Sequence, residues 1–153
     1  MPRRMQLGAV ALAIAIFVAP TSFAAAPSGT SATGVHGMVV SESEDAARAG
    51  VEILKQGGNA VDAAVATALA VGVANPASCG IGGGGFMLIY MAKAHAFYAL
   101  DYRETAPLQA RPDMYMRNGK PDEDLARDGM LGVGVPGEIA GIDAALKRFG
   151  TMK

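Results

Sequence analysis

The chain has 153 residues, of which 51% are hydrophobic and 18% are charged, and its formal charge is −1 at pH 7. This composition excludes a disordered tail, and the near-neutral charge gives no reason to expect nucleic acid as a partner. Cys79 is the only cysteine in the sequence. An internal disulfide and a cysteine-based metal cluster are therefore excluded, and we expect the lone thiol to be buried.

The first residues follow the order of a secretory signal peptide. Arg3 and Arg4 form a positive n-region, an apolar run follows at residues 7–19, and small residues surround Ala24. We therefore expect a signal peptide at residues 1–24 and a flexible mature N-terminus at residues 25–34. The mature protein would be secreted, with the periplasm as its location and no membrane attachment. The alternative is an uncleaved membrane anchor, for which the apolar run is short.

A strand and a helix are predicted next along the chain. The short apolar run at residues 37–41 is typical of a strand. Ser41 and Glu44 have the spacing of a capping box, and apolar residues then recur with the period of a helix. Gly57 would end that helix.

A second helix is predicted over residues 60–74. Asn59 can cap it, and Asp62 lies in its first turn. The dipeptide Asn75-Pro76 ends it. Nearly every residue between these points is apolar. We therefore expect this helix to be buried on most sides.

The second half of the chain predicts a β-hairpin, a loop and a final helix. Apolar runs at residues 86–91 and 96–100 flank a short turn, which predicts a hairpin buried on both faces or nearly so. Residues 111–128 are polar and predict a surface loop, and an amphipathic helix then ends at Gly150. Because the chain offers few segments to cover its apolar helix and strands, we interpret it as an incomplete piece of a larger domain.

Four consecutive glycines, Gly82 to Gly85, stand between the apolar helix and the hairpin. Together with Gly80 they match the dinucleotide-binding fingerprint letter for letter, but that fingerprint needs a strand before it and a helix after it. Here the predicted order is reversed, which disfavours nucleotide binding. Two interpretations remain, a tight turn packed against other backbone or the backbone wall of a substrate cavity.

Arg103 is the candidate substrate-binding residue. Asp101, Arg103 and Thr105 alternate at the end of a predicted strand, so their polar groups can share one face. A planar guanidinium binds a carboxylate through two parallel hydrogen bonds. The alternative is an ordinary surface ion pair of Arg103 with Asp101 or Glu104.

Other chemistries are disfavoured by the residues present. Cys79 with His36 or His95 would make a thiolate dyad, but nothing basic lies near Cys79 in the sequence. Two histidines are also too few for a metal site without further ligands. We therefore expect no metal and no cofactor.

The motifs of the chain, taken together, resemble the N-terminal part of the γ-glutamyltranspeptidase (glutathione hydrolase) family. They run in the family's order and cover most of the mature chain. The matching stretches are Gly57-Gly-Asn-Ala-Val-Asp-Ala-Ala-Val65, Gly80-Ile-Gly-Gly-Gly-Gly-Phe-Met87, Asp101-Tyr-Arg-Glu-Thr-Ala-Pro107, Gly134-Val-Pro-Gly137 and Ala140-Gly141.

The resemblance implies an α/β (α+β) fold, a partial N-terminal-nucleophile hydrolase αββα sandwich. Residues 35–153 would be the N-terminal portion of the large subunit. In the family, a precursor cuts itself to free a threonine that forms an acyl-enzyme with the γ-glutamyl group. The arginine of the family's Asp-Phe-Arg-Glu motif matches Arg103 and would hold the donor's α-carboxylate, and Tyr102 stands in place of the phenylalanine.

The implied function is that of an exported γ-glutamyltransferase or glutathione hydrolase. Its partners would be glutathione or another γ-glutamyl donor, an amino-acid or peptide acceptor, and the small subunit from the same precursor. No segment here resembles the family's Thr-Thr-His run, so we expect no catalytic residue in this chain and no activity from it alone. The alternatives are a related β-lactam side-chain acylase or poly-γ-glutamate-processing enzyme, and a non-catalytic carboxylate-binding module or pseudogene relic.

Overall fold

The computed structural model describes residues 31–152, so the predicted signal peptide at 1–24 and most of the predicted mature N-terminus lie outside the described residues. Two helices are followed by two small antiparallel sheets and then by two more helices. The elements are α1 (Glu44–Lys55), α2 (Ala60–Ala74), β1 (Phe86–Met91), β2 (Ala96–Asp101), β3 (Met116–Arg117), β4 (Lys120–Pro121), α3 (Glu123–Arg127) and α4 (Glu138–Phe149).

Helix α1 begins two residues later than expected and ends where expected. Ser43 rather than Ser41 is its N-cap, because the Ser43 hydroxyl accepts the N–H of Ala46 at 3.4 Å. At the other end Gly57 has a φ of 92°, and its N–H donates back to the last turn at 3.1 Å. This left-handed glycine closure confirms the predicted end of the helix.

The strand predicted at residues 37–41 is wrong. Among the described residues the sheets are β1 with β2 and β3 with β4, and this segment belongs to neither. It lies instead against the helices, where it lines a groove with Leu54 of α1 and Ala63 of α2. A short apolar run can thus pack against helices without joining a sheet.

Helix α2 is capped as predicted, but its buried residues are confined to its first half. Asn59 Oδ1 accepts the N–H of Val61 at 2.8 Å, and Asp62 Oδ2 accepts the N–H of Asn59 at 2.8 Å, which completes a capping box. The buried residues all lie in the first eight positions, whereas Val73 near the end is 83% exposed. The expectation of burial on most sides therefore fails in the second half of the helix.

The predicted hairpin is confirmed, with one face packed and one face open. β1 and β2 pair in antiparallel register from Phe86 with Asp101 to Met91 with Ala96. The packed face joins the core formed by α2 and α4, where Ile89 is 6% exposed. On the other face Leu88 is 73% exposed, so the expectation of burial on both faces is wrong. The described residues provide helices on only one side of the sheet.

The final helix and the predicted loop are also resolved. α4 ends at Phe149 with Gly150 as its C-cap, as predicted, and the Phe149 ring lies 4.9 Å from that of Tyr98 in the core. The polar region at 111–128 is more ordered than the expected loop. Asn118 and Gly119, with φ of 53° and 74°, make the turn between β3 and β4, and α3 follows.

Candidate functional site

Three distant stretches meet through their backbones at what we call the Tyr102 junction (residues 83–85, 102–105 and 134–141). Gly85 and Tyr102 exchange two backbone hydrogen bonds of 3.3 and 3.0 Å, which extends the β1–β2 ladder. The carbonyl of Gly83 accepts the N–H groups of Gly137 and Glu138, both at 3.0 Å. The glycine segment therefore ties the end of β2 to the start of α4.

Several glycines in this junction are required for close approach. A Cβ on Gly84 would lie 2.9 Å from the backbone nitrogen of Glu104, and one on Gly137 would lie 2.8 Å from the carbonyl carbon of Tyr102. A Cβ on Gly141 would lie 2.6 Å from the Cβ of Tyr102. Real side chains essentially never come so close, so glycine is needed at these positions for its lack of a side chain.

The first glycines of the segment have a different environment. A Cβ on Gly80 or Gly82 would meet open space, and both residues line a cavity of about 570 Å³. Glu104 and Glu138 line the same cavity. Gly84 thus packs against backbone, as one of the two interpretations predicts, and it also lines this cavity together with Gly82; that the cavity binds substrate stays a prediction.

Arg103 emerges directly from the Tyr102 junction. Its side chain is 62% exposed, its Nε lies 3.0 Å from Glu104 Oε2, and its guanidinium carbon lies 6.0 Å from the centre of the Phe86 ring. Its backbone N–H donates to Asp101 Oδ1 at 3.1 Å. The ion pair with Glu104 that the sequence left open is therefore present, on a guanidinium that remains accessible to solvent.

The backbone is fixed on both sides of Arg103. Tyr102 before it pairs with Gly85, and Thr105 after it exchanges hydrogen bonds of 3.1 and 2.8 Å with Val135. A flexible side chain therefore leaves from a rigid point of the main chain. This is the geometry that a binding residue needs, because ordering it on binding costs side-chain entropy but no backbone entropy.

Tyr102 is half-buried between the glycine segment and α4. Burial raises the pKa of its phenol above the ordinary value of 10.0, and the negative charge of Glu138 raises the pKa further. The ring is therefore neutral at physiological pH.

The buried state expected for Cys79 is wrong. Cys79 is exposed in the turn after α2, where residues 76–82 are all exposed. His36 and His95 are exposed on other segments, before α1 and between the hairpin strands. Across residues 31–152 no group of three His, Cys, Asp or Glu side chains is placed to hold a metal ion, and no helix is long and apolar enough to cross a membrane.

A second junction escaped the sequence analysis. We call it the Asp62 junction (Asn59, Asp62 and residues 149–152). The Asp62 carboxylate, 4% exposed, accepts the N–H and the hydroxyl of Thr151 at 3.0 and 2.7 Å. Asn59 Nδ2 also donates to the Phe149 carbonyl at 2.6 Å. Asn59 as the cap and Asp62 in the first turn were predicted, but the partner of Asp62 lies 89 residues away and no local pattern marks it.

Hydrogen bonding decides the protonation of Asp62. Burial by itself would raise the pKa of this carboxyl, but hydrogen bonds from the backbones of Asn59, Thr151 and Met152 and from the Thr151 hydroxyl outweigh it. The net effect lowers the pKa below the ordinary value of 3.8. Asp62 is therefore ionised at neutral pH.

Comparison with known proteins places these features in a family. A family model described as Gamma-glutamyltranspeptidase matches residues 46–153. The chain is 46% identical over 117 residues to a glutathione hydrolase proenzyme of Pseudomonas sp. (strain A14), a match that covers 76% of this chain and 20% of that protein. The chain spans about one fifth of the length of the curated relatives that it matches.

Solved structures give the same result for the fold. The crystal structure of Helicobacter pylori gamma-glutamyltranspeptidase is similar with a TM-score of 0.76 and 42% identity, over 81% of this chain and 36% of that chain. A cephalosporin acylase from Bacillus halodurans is similar with a TM-score of 0.68 and 29% identity, over 90% of this chain and 25% of that chain. The chain belongs to the gamma-glutamyltranspeptidase family, and its mixed α/β fold is part of an N-terminal-nucleophile hydrolase sandwich, as the motifs predict.

Proposed function

We propose that this chain is the N-terminal portion of the large subunit of an exported γ-glutamyltransferase or glutathione hydrolase. Its membership of the family supports this, and the relatives named glutathione hydrolase proenzymes support a precursor that is processed. The donor is glutathione or another γ-glutamyl compound, and the acceptor is water, an amino acid or a peptide. The small subunit comes from the same precursor.

Within that enzyme, Arg103 binds the α-carboxylate of the γ-glutamyl donor. The observation that carries this proposal is an accessible guanidinium at a rigid point of the backbone. Glu104 pairs with Nε and the Phe86 ring lies beneath the guanidinium carbon, so both orient its plane. The outer edge, formed by the two Nη groups, then offers the donor carboxylate two parallel N–H···O bonds.

The chemical step uses a threonine that this chain does not supply. Its Oγ attacks the γ-amide carbon, the C–N bond breaks, and the threonine's own α-amine carries the hydroxyl proton to the leaving amine. Binding of the α-carboxylate by Arg103 fixes the amide at the nucleophile. The 153-residue chain alone should therefore release no product from a γ-glutamyl anilide, and turnover above a denatured control would contradict the proposal.

Residues 1–24, which precede the described part of the chain, are proposed to direct export as a signal peptide. The positive n-region with Arg3 and Arg4, the apolar run after it and the small residues around Ala24 support a cleaved signal peptide. N-terminal sequencing of exported protein should begin near Ala25. An intact Met1 in the exported fraction would show that the segment is not removed.

The role of Arg103 is tested in a hybrid enzyme, in which residues 46–153 replace the matching segment of the Pseudomonas sp. (strain A14) proenzyme. Arg103→Lys keeps the charge but loses the two-point geometry, so kcat/KM should fall about ten- to hundred-fold, mainly through KM. The loss should nearly vanish for a donor analogue without the α-carboxylate. Arg127→Lys is the matched control, because Arg127 is 72% exposed and also pairs with the acidic residue that follows it.

Two outcomes would overturn this assignment. An unmutated hybrid without activity would mean that the chain cannot serve as this part of the enzyme. Equal losses for Arg103→Lys with and without the α-carboxylate would mean that Arg103 has a structural role.

The similarity to a cephalosporin acylase favours one second candidate, an acylase of β-lactam side chains. The hybrid would reveal this activity by preferring such substrates to γ-glutamyl donors.

A further inference from the structure

The ring of Tyr102 occupies a slot whose walls are glycines. On one side, a Cβ on Gly141 would lie 2.6 Å from Cβ and from Cδ1 of Tyr102. On the other side, a Cβ on Gly85 would lie 3.1 Å from Cε2 of the ring. Any side chain at Gly141 would therefore displace the ring, and one at Gly85 would crowd its far edge.

The backbone of Tyr102 is held as closely as its ring. Its N–H and carbonyl both pair with Gly85, and a Cβ on Gly137 would lie 2.8 Å from its carbonyl carbon and 3.0 Å from the Arg103 oxygen. The position of Tyr102 is thus fixed by the two other stretches of the junction at once. The next residue is Arg103, whose side chain leaves the main chain from this fixed point.

We propose that Tyr102 is a positioning residue for Arg103, and that its ring, seated between Gly85 and Gly141, sets the direction in which the guanidinium reaches the donor carboxylate. This inference rests on the proposed function of Arg103. A Cβ on Gly141 would meet only carbon atoms of the side chain, whereas one on Gly85 would meet two ring carbons and the hydroxyl oxygen, so we expect the ring to matter more than the hydroxyl. Two-point binding of a carboxylate depends on direction, so a displaced ring should weaken it while the charge stays in place.

The test compares variants of Tyr102 in the hybrid enzyme. Tyr102→Ala empties the slot, and KM for a donor with the α-carboxylate should rise about 10- to 100-fold, with a much smaller change for the analogue without it. Tyr102→Phe retains the ring and should restore the KM for the full donor. A merely structural role would instead lower activity on both donors alike.

A second variant reaches the same ring from α4. Gly141→Ala should raise KM selectively for the donor with the α-carboxylate, although alanine is intrinsically better than glycine within a helix. Gly50→Ala is the matched control, because its Cβ would also be crowded, at 3.0 Å from both the Ala63 carbonyl and Val39 Cγ1, in a contact between α1 and α2. It should lower stability without changing the ratio between the two donors.

A spectroscopic measurement on the full 153-residue chain keeps the inference testable if Gly141→Ala gives no active enzyme. The phenolate absorbance is followed against pH, and the difference between the unmutated chain and Tyr102→Phe isolates Tyr102, whose pKa lies above 10.0. In Gly141→Ala that pKa should fall toward the ordinary value, because the ring has left its slot. An unchanged titration would overturn the inference.

The kinetic outcomes separate this inference from the proposed function. If Arg103→Lys distinguishes the two donors but Tyr102→Ala and Gly141→Ala do not, Tyr102 does not position Arg103 and the carboxylate clamp still stands. If Arg103→Lys does not distinguish them, the clamp itself is wrong and the positioning role falls with it.

Discussion

The Asp62 junction and the Tyr102 junction each join segments that are far apart in the sequence, but they do so through different interactions. At the Asp62 junction a buried carboxylate accepts hydrogen bonds from Asn59 and Thr151, the shortest being 2.7 Å. At the Tyr102 junction the chain is joined by backbone hydrogen bonds and by the absence of side chains at Gly84, Gly137 and Gly141.

The difference predicts how each junction can be broken. A carboxylate that collects donors is sensitive to loss of its charge and to acid, because its contribution depends on ionisation. A contact made by glycines is indifferent to charge but sensitive to a single added methyl group, since the neighbouring backbone cannot retreat. Changes of charge and changes of volume should therefore act on different junctions.

The largest effect is expected from Gly137→Ala. The added Cβ would press on the carbonyl carbon of Tyr102 at 2.8 Å, and the backbone cannot yield without losing the hydrogen bond from Gly137 to Gly83. The free energy of unfolding in urea should fall by about 3 kcal/mol or more. Gly82→Ala is the control, because its Cβ meets open space, and an equal loss in both variants would contradict the account.

Asp62→Asn should have the next largest effect. The substitution keeps the shape of the side chain but removes the negative charge of the carboxylate, whose oxygen accepts the N–H and the hydroxyl of Thr151. The free energy of unfolding should fall by about 2 kcal/mol, the scale of hydrogen bonds to a charged group. Asp143→Asn, at an exposed ion pair with Lys147, should change it by less than about 0.5 kcal/mol.

Acid should remove the difference between Asp62→Asn and the unmutated chain. The folded-state pKa of Asp62 lies below the unfolded value near 3.8, so its contribution is present above that pH. The contribution is lost as the pH falls through the folded-state pKa. The gap between the unfolding curves of the two proteins at neutral pH should therefore shrink as the pH falls below 3.8, and it should close once the pH is below the folded-state pKa. A gap that stays constant would show that ionisation of Asp62 is not what holds the junction.

A smaller effect is expected from Gly57→Ala, which separates the need for an unusual dihedral from the need for close approach. Gly57 has a φ of 92° and would have nothing within 4 Å of an added Cβ. The loss in the free energy of unfolding should be about 1 kcal/mol, from backbone strain alone. A loss as large as that of Gly137→Ala would mean that crowding does not distinguish the two glycines.

Local patterns in the sequence predicted what is held together locally. The Gly57 closure, the Asn59 cap and the hairpin each depend on residues a few positions apart, and each is confirmed. The pairing of Asp62 with Thr151 spans 89 residues and could not be predicted, because no periodicity relates them.

Errors arose where composition was taken as a measure of burial. Cys79 and one face of the hairpin were expected to be buried because they are apolar, yet both are exposed. Burial depends on which other segments cover a surface, and a residue's own chemistry does not specify that. The position of Arg103 at a strand end made it a candidate in the sequence, but the slot that holds its neighbour Tyr102 became visible only in three dimensions.

The most direct test of the account combines Tyr102→Ala with Arg103→Lys in the hybrid enzyme. If the Tyr102 junction acts through Arg103, the double variant should discriminate between donors with and without the α-carboxylate no worse than Arg103→Lys alone. The two losses would then not add, because the contact that Tyr102 positions is already gone. Losses that multiply, as they do for independent sites, would contradict the claim that this junction exists to aim the guanidinium.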